Sequence, residues 1–232
     1  MDLKGMAKIV ALLIAAHGIA DFALQPDWLA ARKRRPAYLL LHTGLHALVV
    51  YLVLQIWTCW QAPLFVFVVH GLIDAIKQRL PDNTKWFVID QVAHVISLLA
   101  LAWLLVDRGI LPHFTGIGYK PLVFFGGLVL TVQGAGFLVG KFARHLIEKN
   151  ELKLDGLENG GKWIGRFERA LIFVFIFIGE PAGIGFLVAA KSILRFEEAK
   201  QQKLAEYVLI GTLLSFSLAI ALSSLTKWAM NL

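Results

Sequence analysis

Four sets of ionisable residues, each spaced one helical turn apart, sit inside apolar stretches of the first half of this chain. They are His17 with Asp21, His42 with His46, His70 with Asp74 and Lys77, and Asp90 with His94. Spacings of three and four put each set on one face of a helix. Ionisable groups inside a bilayer are costly and mark functional sites. Nine of them on four successive spans predict a polar centre buried between helices. The five imidazoles and three carboxylates form a borderline-to-hard donor set that suits zinc, manganese or iron. His42 and His46 resemble the paired histidines that offer two nitrogens to one metal from a single helix face, but the Glu of the zinc-protease motif is absent between them. Eight candidate ligands (His17, Asp21, His42, His46, His70, Asp74, Asp90 and His94) exceed one tetrahedral site. One or two ions are therefore expected, with some carboxylates orienting histidines instead of touching metal. With neutral histidines, three Asp and Lys77 sum to −2. One divalent cation neutralises that pocket, and two leave it at +2, favourable for a phosphate or carboxylate. The same residues also fit a proton or cation relay. Interhelical hydrogen bonding, worth about 0.6 kcal/mol per bond, is a third reading, although it does not call for three carboxylates.

Such residues need membrane helices to hold them. The 232-residue chain is 58% hydrophobic with only 17% charged residues, against about 25% charged in a typical soluble domain. Its mean hydropathy is +0.68, and its apolar residues come in runs long enough to cross a bilayer. A single cysteine, Cys59, excludes an internal disulfide and any cysteine-based zinc cluster. The net charge of +7 reads as the Lys/Arg enrichment of cytoplasmic loops, not as a nucleic-acid surface. Lys4 and Lys8 make a thin basic region, and His17 and Asp21 interrupt the apolar stretch after it, so the first segment is expected to be a retained span, not a cleaved signal.

The expected fold is an all-α polytopic bundle of about eight transmembrane segments (six to eight). At about 20 residues per crossing, they fall at 5–24, 37–60, 63–80, 86–106, 121–142, 164–180, 182–195 and 205–227. The sixth and seventh are short and meet at Gly179-Glu180-Pro181, as a tight hairpin of two spans or a re-entrant pair. If the loop with Arg32-Lys33-Arg34-Arg35 is cytoplasmic, alternation places 18 of the 23 Lys and Arg on that side. Both termini are then periplasmic, and all four polar sets fall in the cytoplasmic half of the bilayer. Trp28, Trp86 and Trp163 lie at one set of span ends and Trp57, Trp60, Trp103 and Trp228 at the other, as an aromatic belt requires. The glycine-rich segment 155–161 is the clearest linker. It divides the chain into a four-span unit (1–108), a connecting span and linker (109–161) and a three-segment C-terminal unit (162–232).

The C-terminal part carries Lys162, Arg166, Glu168, Arg169, Lys191, Arg195 and Glu206 near span ends. They read as positive-inside anchoring with a few ion pairs, or as a basic pocket for lipid head groups, with Glu168 the residue expected to be paired. Gly136 and Gly140 form a small-residue helix face suited to packing. His113 and His145 are expected to be solvated. Asp155 and Glu158 lack the spacing of an EF-hand loop, and no nucleophile elbow, P-loop or dinucleotide fingerprint is present.

The stretches Ala16-His17-Gly18-Ile19-Ala20-Asp21-Phe22-Ala23-Leu24-Gln25, Leu41-His42-Thr43-Gly44-Leu45-His46, His70-Gly71-Leu72-Ile73-Asp74-Ala75-Ile76-Lys77 and Asp90-Gln91-Val92-Ala93-His94 resemble an uncharacterised bacterial membrane family, a domain of unknown function. The resemblance covers about 1–108 and implies a multi-pass inner-membrane protein, without supplying an activity. A looser similarity links such His/Asp-rich spans to integral-membrane metal-dependent hydrolases, by analogy alone. The expected function is an inner-membrane metalloprotein, with hydrolysis of a membrane-embedded phosphoester or amphiphile as the leading activity. In that scheme Asp74 and Lys77 join the chemistry, Lys77 steadying developing negative charge. A proton or divalent-cation transporter is the alternative, and a non-catalytic partner or sensor the third. The partner common to all three is the lipid bilayer.

Overall fold

A computed structural model describes residues 3–111, 114–152, 157, 159–194 and 202–232. His113, Asp155, Glu158 and Arg195, singled out above, lie outside the described residues, as does Gly156 of the 155–161 linker.

All regular structure among the described residues is helical. In chain order the helices are α1 (Leu3–Gly18), α2 (Asp27–Ala30), α3 (Pro36–Leu54), α4 (Gln61–Lys77), α5 (Thr84–Asp107), α6 (Tyr119–Val129), α7 (Ala135–Asn150), α8 (Gly160–Ile178), α9 (Ala182–Leu194) and α10 (Gln202–Ala229). A π turn at Ile19–Ala23 prolongs α1, and another at Leu130–Gly134 joins α6 to α7. Among the described residues, five helical stretches are long and apolar enough to cross a membrane: Leu3–Ala23, Pro36–Leu54, Thr84–Asp107, Tyr119–Asn150 and Gln202–Ala229. The other three expected segments are helical as well, but each falls short in its own way. The 17 residues of α4 span about 26 Å at 1.5 Å per residue, a little under a hydrocarbon core of about 30 Å. The first half of α8 carries Lys162, Arg166, Glu168 and Arg169, and Ala182–Ile193 is apolar but short.

Sequence patterning carries the second span to residue 60, yet α3 stops at Leu54. Gln55 adopts a left-handed conformation at φ 54°. Its side chain donates to Ile117 O at 2.7 Å and accepts from Ile117 N at 3.0 Å, so a partner 62 residues away ends the helix.

The chain packs as two units, one running to Leu130 and taking in Trp228–Leu232, the other comprising Thr131–Lys227. In the first, α1 packs against α3, α5 and α6, while α4 packs on α3 and α5. Close approach of α1 and α6 depends on glycine. A Cβ on Gly126 would overlap Ala15, and one on Gly18 would lie 2.6 Å from Leu130 Cγ. The apolar core is drawn from Ile9, Leu12, Leu13 and Ala16 of α1, Val49, Val50 and Val53 of α3, and Leu98, Leu101 and Leu105 of α5. Large apolar side chains such as Leu48, Leu52, Leu72, Ile76, Val92, Ile96 and Trp103 are exposed on the outside, whereas the histidines are buried. Apolar outside and polar within suits a lipid surround, where helices satisfy their own backbone.

In the second unit Ile172, Ile184, Phe216 and Ala219 form a smaller core. Two of the basic residues expected to offer a head-group pocket are engaged. Lys191 pairs with Glu168 at 2.8 Å. The buried Arg169 donates to Val132 O through Nε and Nη2 at 3.0 and 2.9 Å, and to Ser215 Oγ at 3.2 Å. Val132 belongs to the π turn, which leaves a carbonyl without its usual helical donor, and Arg169 supplies one. Gly136 makes the room, since a Cβ there would sit 2.5 Å from Arg169 Nη2, whereas Gly140 has nothing within 4 Å. His145 is exposed.

Candidate metal centre

The centre forms inside the first unit, toward the end that carries the loops 24–35 and 78–83. α1 delivers His17 at its C-terminal end, and the π turn that follows delivers Asp21. π turns re-aim side chains and recur at functional sites. α3, started by Pro36 at a position where proline loses no hydrogen bond, brings His42 and His46 in its second and third turns. α4 brings His70 and Asp74, with Lys77 as its last residue. α5 starts from an Asn83 cap that accepts from Trp86 N and brings Asp90 and His94. Gly71 lets α4 lie close to α3, because a Cβ there would be 3.2 Å from Thr43. All five histidines, Asp74 and Asp90 are buried, with His42 fully so, and Asp21 is half-buried.

The four polar sets meet. His42 Nε2 and His46 Nε2 lie 3.2 and 3.1 Å from Asp21 Oδ1, and His70 Nε2 lies 3.1 Å from His42 Nε2. His70 and His94 stack with ring centroids 4.2 Å apart, and His17 lies 5.0 Å from His94 by the same measure. Asp74 Oδ1 is 3.7 Å and Asp90 Oδ1 3.5 Å from His94 Nε2. Lys77 donates to Asp90 Oδ2 at 2.5 Å, with 27% of its side chain exposed. Three donor groups have ligand atoms within 4.8 Å of one another: Asp21/His42/His46/His70, His17/His70/His94 and Asp74/Asp90/His94. They are linked by shared His70 and His94.

One residue at the centre was not foreseen. Lys33, read from sequence as part of a cytoplasmic basic loop, is buried while Arg32, Arg34 and Arg35 beside it are exposed. Its ammonium donates to Asp74 Oδ2 at 2.8 Å and lies 3.1 Å from His42 Nε2. Nothing in the run of four basic residues separates Lys33 from its neighbours except its being the one lysine. The second lysine corrects the charge count: three carboxylates against Lys33 and Lys77 leave −1, not −2.

Hydrogen bonds alone do not fit this geometry. An imidazole nitrogen carries one hydrogen or one lone pair. His42 Nε2 nevertheless has Lys33 Nζ, Asp21 Oδ1, His70 Nε2 and Asp74 Oδ2 within 3.1–3.4 Å. The ammonium requires an acceptor there and the carboxylates a donor. Buried His17 Nε2, His94 Nε2 and Asp90 Oδ1 have no hydrogen-bond partner among the described residues. A cation at that point would hold the Asp21 carboxylate and the His42 lone pair together without a shared hydrogen, in place of the Lys33 ammonium. Four ligands at 2.0–2.1 Å from a tetrahedral zinc ion lie about 3.3 Å apart, close to the Asp21–His42, Asp21–His46 and His42–His70 separations of 3.2, 3.1 and 3.1 Å, and the four ligand atoms all lie within 4.8 Å of one another.

On the side away from the loops, His17, His46, His70 and His94 share a small cavity with Val50, Val66, Ser97 and Leu98. About 10 Å³ of it is open to the centre of a water molecule, near the least that admits one water. Beyond lie Val53, Leu54, Ala62, Leu101, Ala102 and Leu105, all buried. The polar centre is thus walled off on that side.

Residues 9–112 match the model of a family described as Protein of unknown function (DUF3307). The match takes in all four polar sets and agrees with the resemblance to an uncharacterised family. Neither a curated protein nor a solved structure matches the chain.

Proposed function

We propose that this protein is a bacterial inner-membrane metalloprotein, a hydrolase of a membrane-embedded phosphoester or other anionic amphiphile. Its bundle of about eight segments (six to eight) crosses the bilayer with both termini periplasmic and the centre facing the cytoplasm. The observation that carries the reading is the convergence of Asp21, His42, His46 and His70, whose ligand atoms lie within 4.8 Å of one another, in an over-subscribed polar knot. Those four would hold the ion. His17, His94, Asp74 and Asp90 would orient them or extend the donor set toward a second position. A bound divalent cation would supply Lewis acidity and an activated water. Lys77, paired with Asp90 and still partly exposed, stands where it can meet an anionic group arriving from the loop side. The apolar wall of Val50, Val66 and Leu98 supports a pocket with one mouth.

A second reading has its own observation. Lys77, Asp90, His94, Asp74, Lys33, His42, Asp21 and His46 form a continuous polar chain with successive contacts of 2.5–3.7 Å, the form a proton or cation relay takes. Elemental analysis of detergent-purified protein separates the two. The metal reading expects near-stoichiometric zinc, manganese or iron, lost from a His42→Ala/His46→Ala variant. A proton relay expects neither.

A further inference from the structure

Long basic side chains at a membrane surface normally bury their methylenes and keep the charged head in water. Lys33 does the reverse. Its head is inside, bonded to Asp74 Oδ2 at 2.8 Å and 3.1 Å from His42 Nε2, and its backbone lies on the loop between α2 and α3. Having no acceptor of its own, the ammonium must take the Nε2 lone pair of His42. A metal ion held by that nitrogen needs the same lone pair. The two cations therefore exclude each other.

We propose that Lys33 is a tethered cation that exchanges with the metal: loading the Asp21/His42/His46/His70 position turns Lys33 out to the surface, and unloading lets it return. The proposal rests on the metal reading above. Charge favours the exchange. With Lys33 inside, three carboxylates and two ammonium groups leave −1. With Lys33 outside and one divalent ion bound, three carboxylates, Lys77 and the ion sum to zero, the state a low-dielectric interior favours. The same count favours a single ion over two. The local backbone suits the movement. α2 is four residues long with no side-chain cap, and Ala31–Arg35 is turn and bend. Leu29 on one side is buried, and α3 begins at Pro36 on the other, so the swing is confined to a few residues. Turned out, Lys33 would complete an exposed row with Arg32, Arg34 and Arg35.

The test uses full-length protein in detergent, treated with an amine-reactive acylating reagent, once with chelator and once with one equivalent of zinc. Acylation of Lys33 is read by mass spectrometry against the exposed Lys85, and bound zinc is measured on the same samples. Slow labelling of Lys33 under chelator and a several-fold rise with zinc are expected. Lys33→Met should bind zinc more tightly, by about tenfold for each 1.4 kcal/mol of competition removed. Removal of charge alone tightens binding, so the labelling carries the exchange, and it needs no variant to fold. Zinc bound with Lys33 still protected, or Lys33 freely labelled under chelator, overturns the exchange and leaves the metal reading standing. So does a Lys33→Met variant that binds zinc no more tightly. Absence of zinc from both wild type and variant overturns both.

Discussion

Asp74→Asn is the change with the most consequences. The carboxylate is 2% exposed and bonds Lys33 at 2.8 Å. It also lies 3.4, 3.7 and 3.7 Å from His42, His70 and His94. Neutralising it strands a buried ammonium, and breaking one side of a buried pair costs about 3–5 kcal/mol. Asparagine keeps a carbonyl oxygen for Lys33, and a hydrogen bond to a charged group returns about 1.5–3 kcal/mol. The expected net loss of stability in metal-free protein is thus about 2 kcal/mol. Metal affinity should weaken by about 10–100-fold if Asp74 orients the histidines, or about 1.4–2.8 kcal/mol at 1.4 kcal/mol per decade. The assay is reversible unfolding in mixed detergent micelles under chelator, with metal affinity by competition. Adding Lys33→Met to Asp74→Asn removes both charges, and replacement of a whole buried pair is often neutral. The double variant should therefore be less destabilised than the two single losses summed, with a coupling of about 1–3 kcal/mol. Strictly additive losses, or an Asp74→Asn protein as stable as wild type, would falsify the pairing and the buried position of Lys33.

Orientation follows from the basic loops: a reporter fused after Leu232 should register as periplasmic. A cysteine at Arg34 should resist an impermeant outside reagent, and its ready labelling would invert the assignment. Gly126→Val drives a side chain into Ala15 and should cost about 1–3 kcal/mol by overpacking. Gly140→Ala, with nothing within 4 Å, should be neutral or stabilising, so equal effects from the two would contradict the α1–α6 contact.

The helices and the histidines were legible because both leave periodic marks. A run of apolar residues announces a span, and His42/His46 or Asp90/His94 at four-residue spacing announces a shared face. Convergence was legible too, because alternating spans put all four sets at one depth. Lys33 was hidden for a physical reason. A loop residue has no period, and whether its head points to water or into the bundle depends on tertiary contacts with His42 and Asp74. Gln55 ended α3 early through Ile117, another partner that local pattern cannot reveal. The π turns at Ile19–Ala23 and Leu130–Gly134 likewise depend on what the backbone packs against, such as the Arg169 that fills Val132 O.

The most direct measurement is zinc K-edge X-ray absorption on detergent-purified protein loaded with one equivalent. A shell of nitrogen and oxygen at about 2.0–2.1 Å, with the multiple-scattering signature of about three imidazoles and no sulfur, is the predicted result. It should collapse in the His42→Ala/His46→Ala variant. A six-oxygen hydrated ion, or zinc that washes away and leaves the thermal unfolding of wild type unchanged, would contradict a metal centre built from Asp21, His42, His46 and His70.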